Sequence, residues 1–94
     1  MPKLTDTEIA ERLKTVPQWT RVGDDIRREF TCPTFADAIA FIVRGGFDAE
    51  AADHHPDITV HYKRVTLAFS THSEGGLTAK DFAGAAAVDA VAPS

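Results

Sequence analysis

The 94-residue sequence predicts an α+β fold: a four-stranded antiparallel sheet with three helices on one face, in the order α-β-β-α-β-β-α. Three observations carry this. Three segments open on capping residues and continue with helical spacing or high helix propensity. Two pairs of short segments between them alternate apolar and polar residues with a period of two. Each pair is joined by a short connection and reads as an antiparallel hairpin, and hairpins separated by helices suggest helices layered on one face of a sheet.

The first helix lies in LTDTEIAERLKTV. Ile9, Leu13 and Val16 recur at helical spacing, Thr5 and Glu8 have capping-box spacing, and Pro17 ends the segment. WTRVGDDIRREF then forms a hairpin. Trp19 and Val22 lead in, Gly23-Asp24-Asp25 turns, and Ile26 to Phe30 leads out until Pro33. Thr34 caps a long second helix from Phe35 to about His54, with an apolar face of Phe35, Ile39, Ile42, Val43 and Gly46. Gly45 and Gly46 each cost roughly 1 kcal/mol relative to Ala in a helix. They therefore point to close backbone packing, against the sheet or a partner helix, or to a bend. Pro56 biases His55 away from helical angles, so this helix stops at or before His55. Ile58, Val60 and Tyr62, then Val65, Leu67 and Phe69, alternate as two paired strands. SEGGL turns the chain, and Thr78 opens an Ala-rich third helix running to about Val91.

Length and composition set the outer limits. Residues 1–94 make one domain with a small core at 44% hydrophobic residues, and self-association is a common way for a chain this size to bury more. A formal net charge of -4 argues against a nucleic-acid surface. Arg27, Arg28, Lys63 and Arg64 read as a solvated strand face. The single cysteine, Cys32, forms no internal disulfide and suits a reducing compartment. There is no apolar leader at the N-terminus and no run of the ~20 apolar residues that span a bilayer. The expected location is the cytoplasm, with neither a membrane nor a nucleic acid as partner.

All four histidines fall within residues 53–72 (DHHPDITVHYKRVTLAFSTH). His54 lies at or near the end of the second helix, four residues after Glu50, so the two share a helical face. A carboxylate there can orient the ring and hold its proton. His55 precedes Pro56 and points elsewhere. His72 follows the fourth strand, where small folds collect functional groups. His61 alternates with Val60 and Tyr62 and is an exposed strand residue. Each also has a structural reading. A His at a helix C-terminus can cap carbonyls, a His before Pro can be a plain loop residue, and Asp81, three residues after Thr78, fits a capping box.

Competing chemistries fit the residues poorly. There is no HExxH motif and no cysteine pair for zinc. Ser70 and Ser73 lie near His72, but nothing resembles a nucleophile elbow. EGGL lacks the glycine spacing and lysine of a phosphate loop. Proton transfer without a metal remains. Imidazoles with a pKa of ~6.5 can give and take protons near neutrality, and one placed group contributes on the order of 10²- to 10⁴-fold.

Glu50, His54-His55-Pro56, Tyr62, His72 and Asp81, in this spacing, resemble the signature of the pterin-4a-carbinolamine dehydratases. Trp19, the STH string at Ser70–His72 and the GLT string at Gly76–Thr78 extend the resemblance over nearly the whole chain. It implies a hydro-lyase that removes water from 4a-hydroxytetrahydrobiopterin to give quinonoid dihydropterin, with no metal and no organic cofactor, in the recycling of tetrahydrobiopterin. It implies His54, His55 and His72 as catalytic residues. His54 and His72 would be acids or bases near C4a and N5, and His55 would also position the pterin. Pro56 and the backbone of Thr71, Ser73 and Glu74 would line the pocket, while Glu50 and Asp81 would orient imidazoles. It further implies a homodimer through sheet edges or a homotetramer through helices, and coupling to an aromatic amino acid hydroxylase. A second reading is a protein-binding dimerisation module like the family's transcriptional coactivators. The chain departs from the family pattern at Ile58, where an aromatic residue is frequent. Gly45-Gly46 and Gly84 also stand where bulkier residues are common.

Overall fold

Thr5, Thr34 and Thr78 each start a helix in the computed structural model, which describes residues 2–93. Met1 and Ser94, the two ends of the expected 1–94 domain, lie outside the described residues. Each threonine hydroxyl accepts a backbone N–H of the first helical turn, one of the donors a helix start leaves without a partner. The elements are α1 (Asp6–Leu13), β1 (Thr20–Val22), β2 (Asp25–Thr31), α2 (Phe35–Ala52), β3 (Asp57–His61), β4 (Arg64–Phe69), a single 3-10 turn (His72–Glu74) and α3 (Ala79–Val91). The α+β class and the order α-β-β-α-β-β-α are as expected. The 3-10 turn was not predicted.

The sheet runs β1-β2-β4-β3, antiparallel throughout. The two hairpins therefore lie side by side, with β2 and β4 central. Their side chains explain the placement. Ile26 and Phe30 on β2, and Val65, Leu67 and Phe69 on β4, are buried and alternate with more exposed residues. Register pairs Ile26 with Phe69 and Phe30 with Val65, which puts them on one face toward the helices. The short β1 and the wholly exposed β3 take the edges. Gly23, at φ +60°, serves the tight turn between β1 and β2.

Above this face sits an aromatic core. Trp19 meets Phe30 edge-on at 6.1 Å between centroids and Phe69 at 5.8 Å, and Phe30 meets Phe41 at 4.8 Å. Asp89 of α3 accepts from Trp19 Nε1 at 3.0 Å and from Arg28 at 2.7 Å, so the indole N–H is satisfied where it is buried. Cys32 is buried and free, and burial pushes its thiol up.

The second helix corrects one expectation. Its buried stripe is Ala38, Phe41, Gly45 and Ala49. Phe35, Ile39 and Val43, expected to face the core, are exposed, as is Phe47. Apolar residues occur nearly all round this helix, so periodicity fits two stripes equally well. Packing selects the stripe with small residues because α2 lies against α3. A Cβ at Gly45 would sit 3.4 Å from Val88 Cγ1, whereas one at Gly46 would meet nothing within 4 Å. The close approach expected of the glycine pair is therefore made by Gly45, against α3.

Candidate active site

Where α2 stops decides what the histidines can reach. The helix ends at Ala52, and Asp53 takes the left-handed conformation at φ 51° and ψ 43°. His54 N–H returns to Ala49 O at 3.1 Å, the 6→1 bond that closes a helix in this way. Aspartate tolerates these angles better than most residues. The reversal breaks the i,i+4 relation between Glu50 and His54 on which the expected pairing depended. Glu50 Oε1 instead pairs with His55 Nε2 at 2.7 Å, on the exposed surface. His54 swings toward α3, where its Nε2 lies 2.6 Å from Asp81 Oδ1.

The His54 side chain is 12% exposed and that of Asp81 is 0% exposed. Every partner of Asp81 is a donor. Oδ2 accepts from Thr78 N–H at 2.9 Å, which closes the capping box of α3, and from the Thr71 hydroxyl at 2.9 Å. Oδ1 faces His54. The structural reading of Asp81 as a capping residue and the reading of it as an orienting carboxylate therefore both describe its geometry, one oxygen each. A carboxylate only accepts, so the network assigns His54 the Nε2–H form and leaves Nδ1 as the acceptor of a neutral ring. Since Thr71 donates to Asp81, the Thr71–Thr78 bond at 2.9 Å must run from the Thr78 hydroxyl to Thr71 Oγ1. The face of the His54 ring lies on Phe69, with centroids 5.9 Å apart and planes 17° from parallel.

His72 opens the 3-10 turn after β4 and is exposed, as are Ser73 and Glu74. This loop is pinned at its base. Thr71 and Gly76 exchange backbone hydrogen bonds at 3.1 and 3.4 Å, and Gly75, at φ +72°, makes the left-handed residue that closes the turn. Thr71 itself is buried and links the two parts of the site. Its side chain reaches the carboxylate that holds His54, and its chain neighbour is His72. Pro56 is half-buried and walls a small crevice with Ile58, Leu67 and Val88. His61 is exposed at the end of β3, as expected.

A cavity of about 130 Å³ lies between α2 and α3. His54, Phe69, Gly45, Ala49 and Gly84 contribute to its walls, with Asp48 and Lys80 among the polar contributors; His55 and His72 lie outside its lining. Among the described residues no three His, Cys, Asp or Glu side chains cluster as the ligands of a metal ion would. Among the described residues no helix is long and apolar enough to cross a membrane. Two features of the site were not anticipated from sequence. Thr78 was read as a helix cap and joins the hydroxyl chain, and Phe69 was read as core and stacks on His54. The capping-box spacing of Thr78 and Asp81 was a signal for the first. Nothing local signals the second, because it depends on how β4 meets the end of α2.

In this α+β sheet layer one imidazole is held between a buried carboxylate and an aromatic ring. The chain belongs to the pterin 4 alpha carbinolamine dehydratase family, whose model matches residues 2–91. It is 53% identical over 88 residues to a protein of Roseiflexus castenholzii, covering 94% of this chain and 95% of that one. It is 52% identical over 91 residues to one of Chloroflexus aurantiacus, covering 97% and 98%. Both relatives carry the name "Putative pterin-4-alpha-carbinolamine dehydratase". Among solved structures, a "transcriptional coactivator/pterin dehydratase" of Brucella melitensis superposes with a TM-score of 0.92 at 35% identity, covering 96% of this chain and 98% of that one. A "pterin dehydratase-like protein" described as a RuBisCO assembly factor shares the fold, with a TM-score of 0.67 at 23% identity over 81% of this chain and 88% of that one.

Proposed function

We propose that this chain dehydrates a 4a-hydroxytetrahydropterin such as 4a-hydroxytetrahydrobiopterin, acting in the cytoplasm in tetrahydrobiopterin recycling. The C4a–O bond breaks as an acid delivers a proton to the departing hydroxyl, which leaves as water. The N5 proton passes to a base as the C4a=N5 double bond forms, giving quinonoid dihydropterin. Both transfers suit imidazoles at neutral pH. His54 and His72 serve as the acid and base, with Nδ1 of His54 as its working nitrogen. His55 and Pro56 position the pterin, with the backbone of Thr71, Ser73 and Glu74. Asp81 orients His54, and Glu50 orients His55. Coupling to an aromatic amino acid hydroxylase, which would consume the recycled pterin, belongs to the same reading.

The observation that carries the proposal is the 2.6 Å contact between His54 and a fully buried aspartate in a chain of this family. Burying a carboxylate is costly unless it is fully hydrogen-bonded, and here it is spent on one imidazole, one hydroxyl and one amide. Stopped-flow measurement on freshly generated 4a-hydroxytetrahydropterin tests it. Wild type should speed dehydration above the spontaneous rate, and His54→Ala and His72→Ala should each lose on the order of 10²-fold or more of that gain. Wild type matching the spontaneous rate would end the proposal.

The exposed apolar side of α2 favours a second reading, a protein-binding dimerisation module, and one solved relative is described as a coactivator as well as a dehydratase. Exposed apolar stripes of this kind mark association surfaces. A homodimer or homotetramer is compatible with both readings. A partner retrieved equally well by wild type, His54→Ala and His72→Ala would support the module.

A further inference from the structure

Gly84 stands on α3 beside the ring that stacks on His54. A Cβ at this position would lie 2.6, 2.8 and 3.1 Å from Cε1, Cζ and Cδ1 of Phe69. Distances below 3.0 Å cannot be absorbed without moving one of the two groups. Phe69 is 1% exposed, held by Trp19 at 5.8 Å as well as by His54 at 5.9 Å. The ring can therefore reach its place only because residue 84 has no side chain.

The same ring limits the freedom of His54. One in-plane hydrogen bond, from Nε2 to Asp81, sets the edge of the imidazole but still lets it pivot about that bond. A surface against its face removes the pivot, and Phe69 supplies one at 17° from parallel. Gly84, Phe69 and His54 share the walls of one cavity of about 130 Å³.

We propose that Gly84 and Phe69 act together as positioning residues for His54: the glycine admits the phenyl ring, and the ring sets the plane of the imidazole. The proposal rests on the reading of His54 as an acid–base group. It also accounts for the departure from the family pattern at position 84, where the space of a missing side chain is filled from β4.

Gly84→Ala, Phe69→Leu and the double variant test it in the full chain, with far-UV circular dichroism to check folding. The first readout is NMR of the His54 ring protons without substrate. Their wild-type shifts include whatever ring-current contribution Phe69 makes and serve as the reference. Phe69→Leu should abolish that contribution and Gly84→Ala should change it. The second readout is steady-state dehydration. Both single variants should lose about 10- to 100-fold in kcat with KM within about twofold of wild type, the pattern of a misplaced reacting group. In the double variant the smaller Leu leaves room for the new Cβ. Its melting temperature should recover relative to Gly84→Ala, while the His54 signal and turnover stay altered. Wild-type His54 shifts and wild-type kcat in Gly84→Ala would overturn the proposal. If that variant fails to fold, wild-type kcat in Phe69→Leu overturns it instead. Should wild type not catalyse dehydration, the functional reading fails, and the His54 shifts of Gly84→Ala, which keeps the phenyl ring, still decide the positioning role.

Discussion

Asp81 is the residue on which the site turns. Its two oxygens bind three donors from three segments: His54 after α2, Thr71 after β4 and Thr78 at the start of α3. Asp81→Ala leaves all three without their acceptor in a buried place. A loss of about 3 kcal/mol or more in urea unfolding is the expected result. Asp81→Asn is the sharper experiment, because the amide has nearly the same shape but offers an oxygen on one side and an N–H₂ on the other. If the oxygen keeps Thr71 and Thr78, the amide N–H faces His54 Nε2 and can be satisfied only when that nitrogen gives up its proton. The tautomer then reverses. Asp81→Asn should keep most of the stability that Asp81→Ala loses, yet lose dehydration activity on the order of 10²-fold. Equal activity in Asp81→Asn and wild type would show that the tautomer of His54 is irrelevant to turnover.

At the scale of elements, helix ends matter more than helix interiors. The left-handed Asp53 sets both carboxylate–imidazole pairings, because it hands Glu50 to His55 and His54 to Asp81. Helix starts follow the spacing rules closely, and α1 offers a test of one of them. The Thr5 amide donates to Glu8 Oε1 at 2.9 Å and holds the Glu8 carboxyl below its ordinary range, with the Thr5 hydroxyl and Arg12 adding to the effect. A carboxylate whose folded pKa is depressed contributes stability above its ordinary unfolded value, and that contribution is lost as pH falls through the folded value. The first turn of α1 should therefore lose amide protection at Thr5 and Glu8 as pH drops below the usual carboxylate range. Hydrogen exchange followed by NMR would show it. Glu8→Gln should flatten this dependence, since a neutral amide has no proton to gain.

For the whole molecule, the apolar stripe of Phe35, Ile39, Val43 and Phe47 is the main unfinished surface. Phe47 is 73% exposed, and Tyr62 at the β3–β4 turn, itself exposed, stacks near Phe35 at 6.5 Å to extend the patch. Association is a common way for a chain of 94 residues to bury more surface, so the proposed homo-oligomer is expected to use this stripe. Phe47→Glu should lower the mass found by light scattering while leaving the circular dichroism spectrum of the fold unchanged. The wild-type mass in that variant would point to the sheet edges instead.

Local pattern was enough for the class, the element order, the three threonine caps and the hairpins, because capping and alternation are read from neighbours a few residues apart. The proposed set of His54, His55, His72, Glu50 and Asp81 came from the family resemblance, since spacing alone does not show which side chains meet. Local pattern could not choose which stripe of α2 is buried. That helix is apolar on more than one side, and only the fit of Gly45 against Val88 separates the alternatives. Nor could it pair the carboxylates with the imidazoles. The helical rule joins Glu50 to His54, and a single left-handed residue cancels it. The His54–Asp81 contact spans 27 positions and the Thr71–Asp81 contact 10. Contacts of that range exist only after β4 and α3 have packed against the end of α2, so they belong to the tertiary structure.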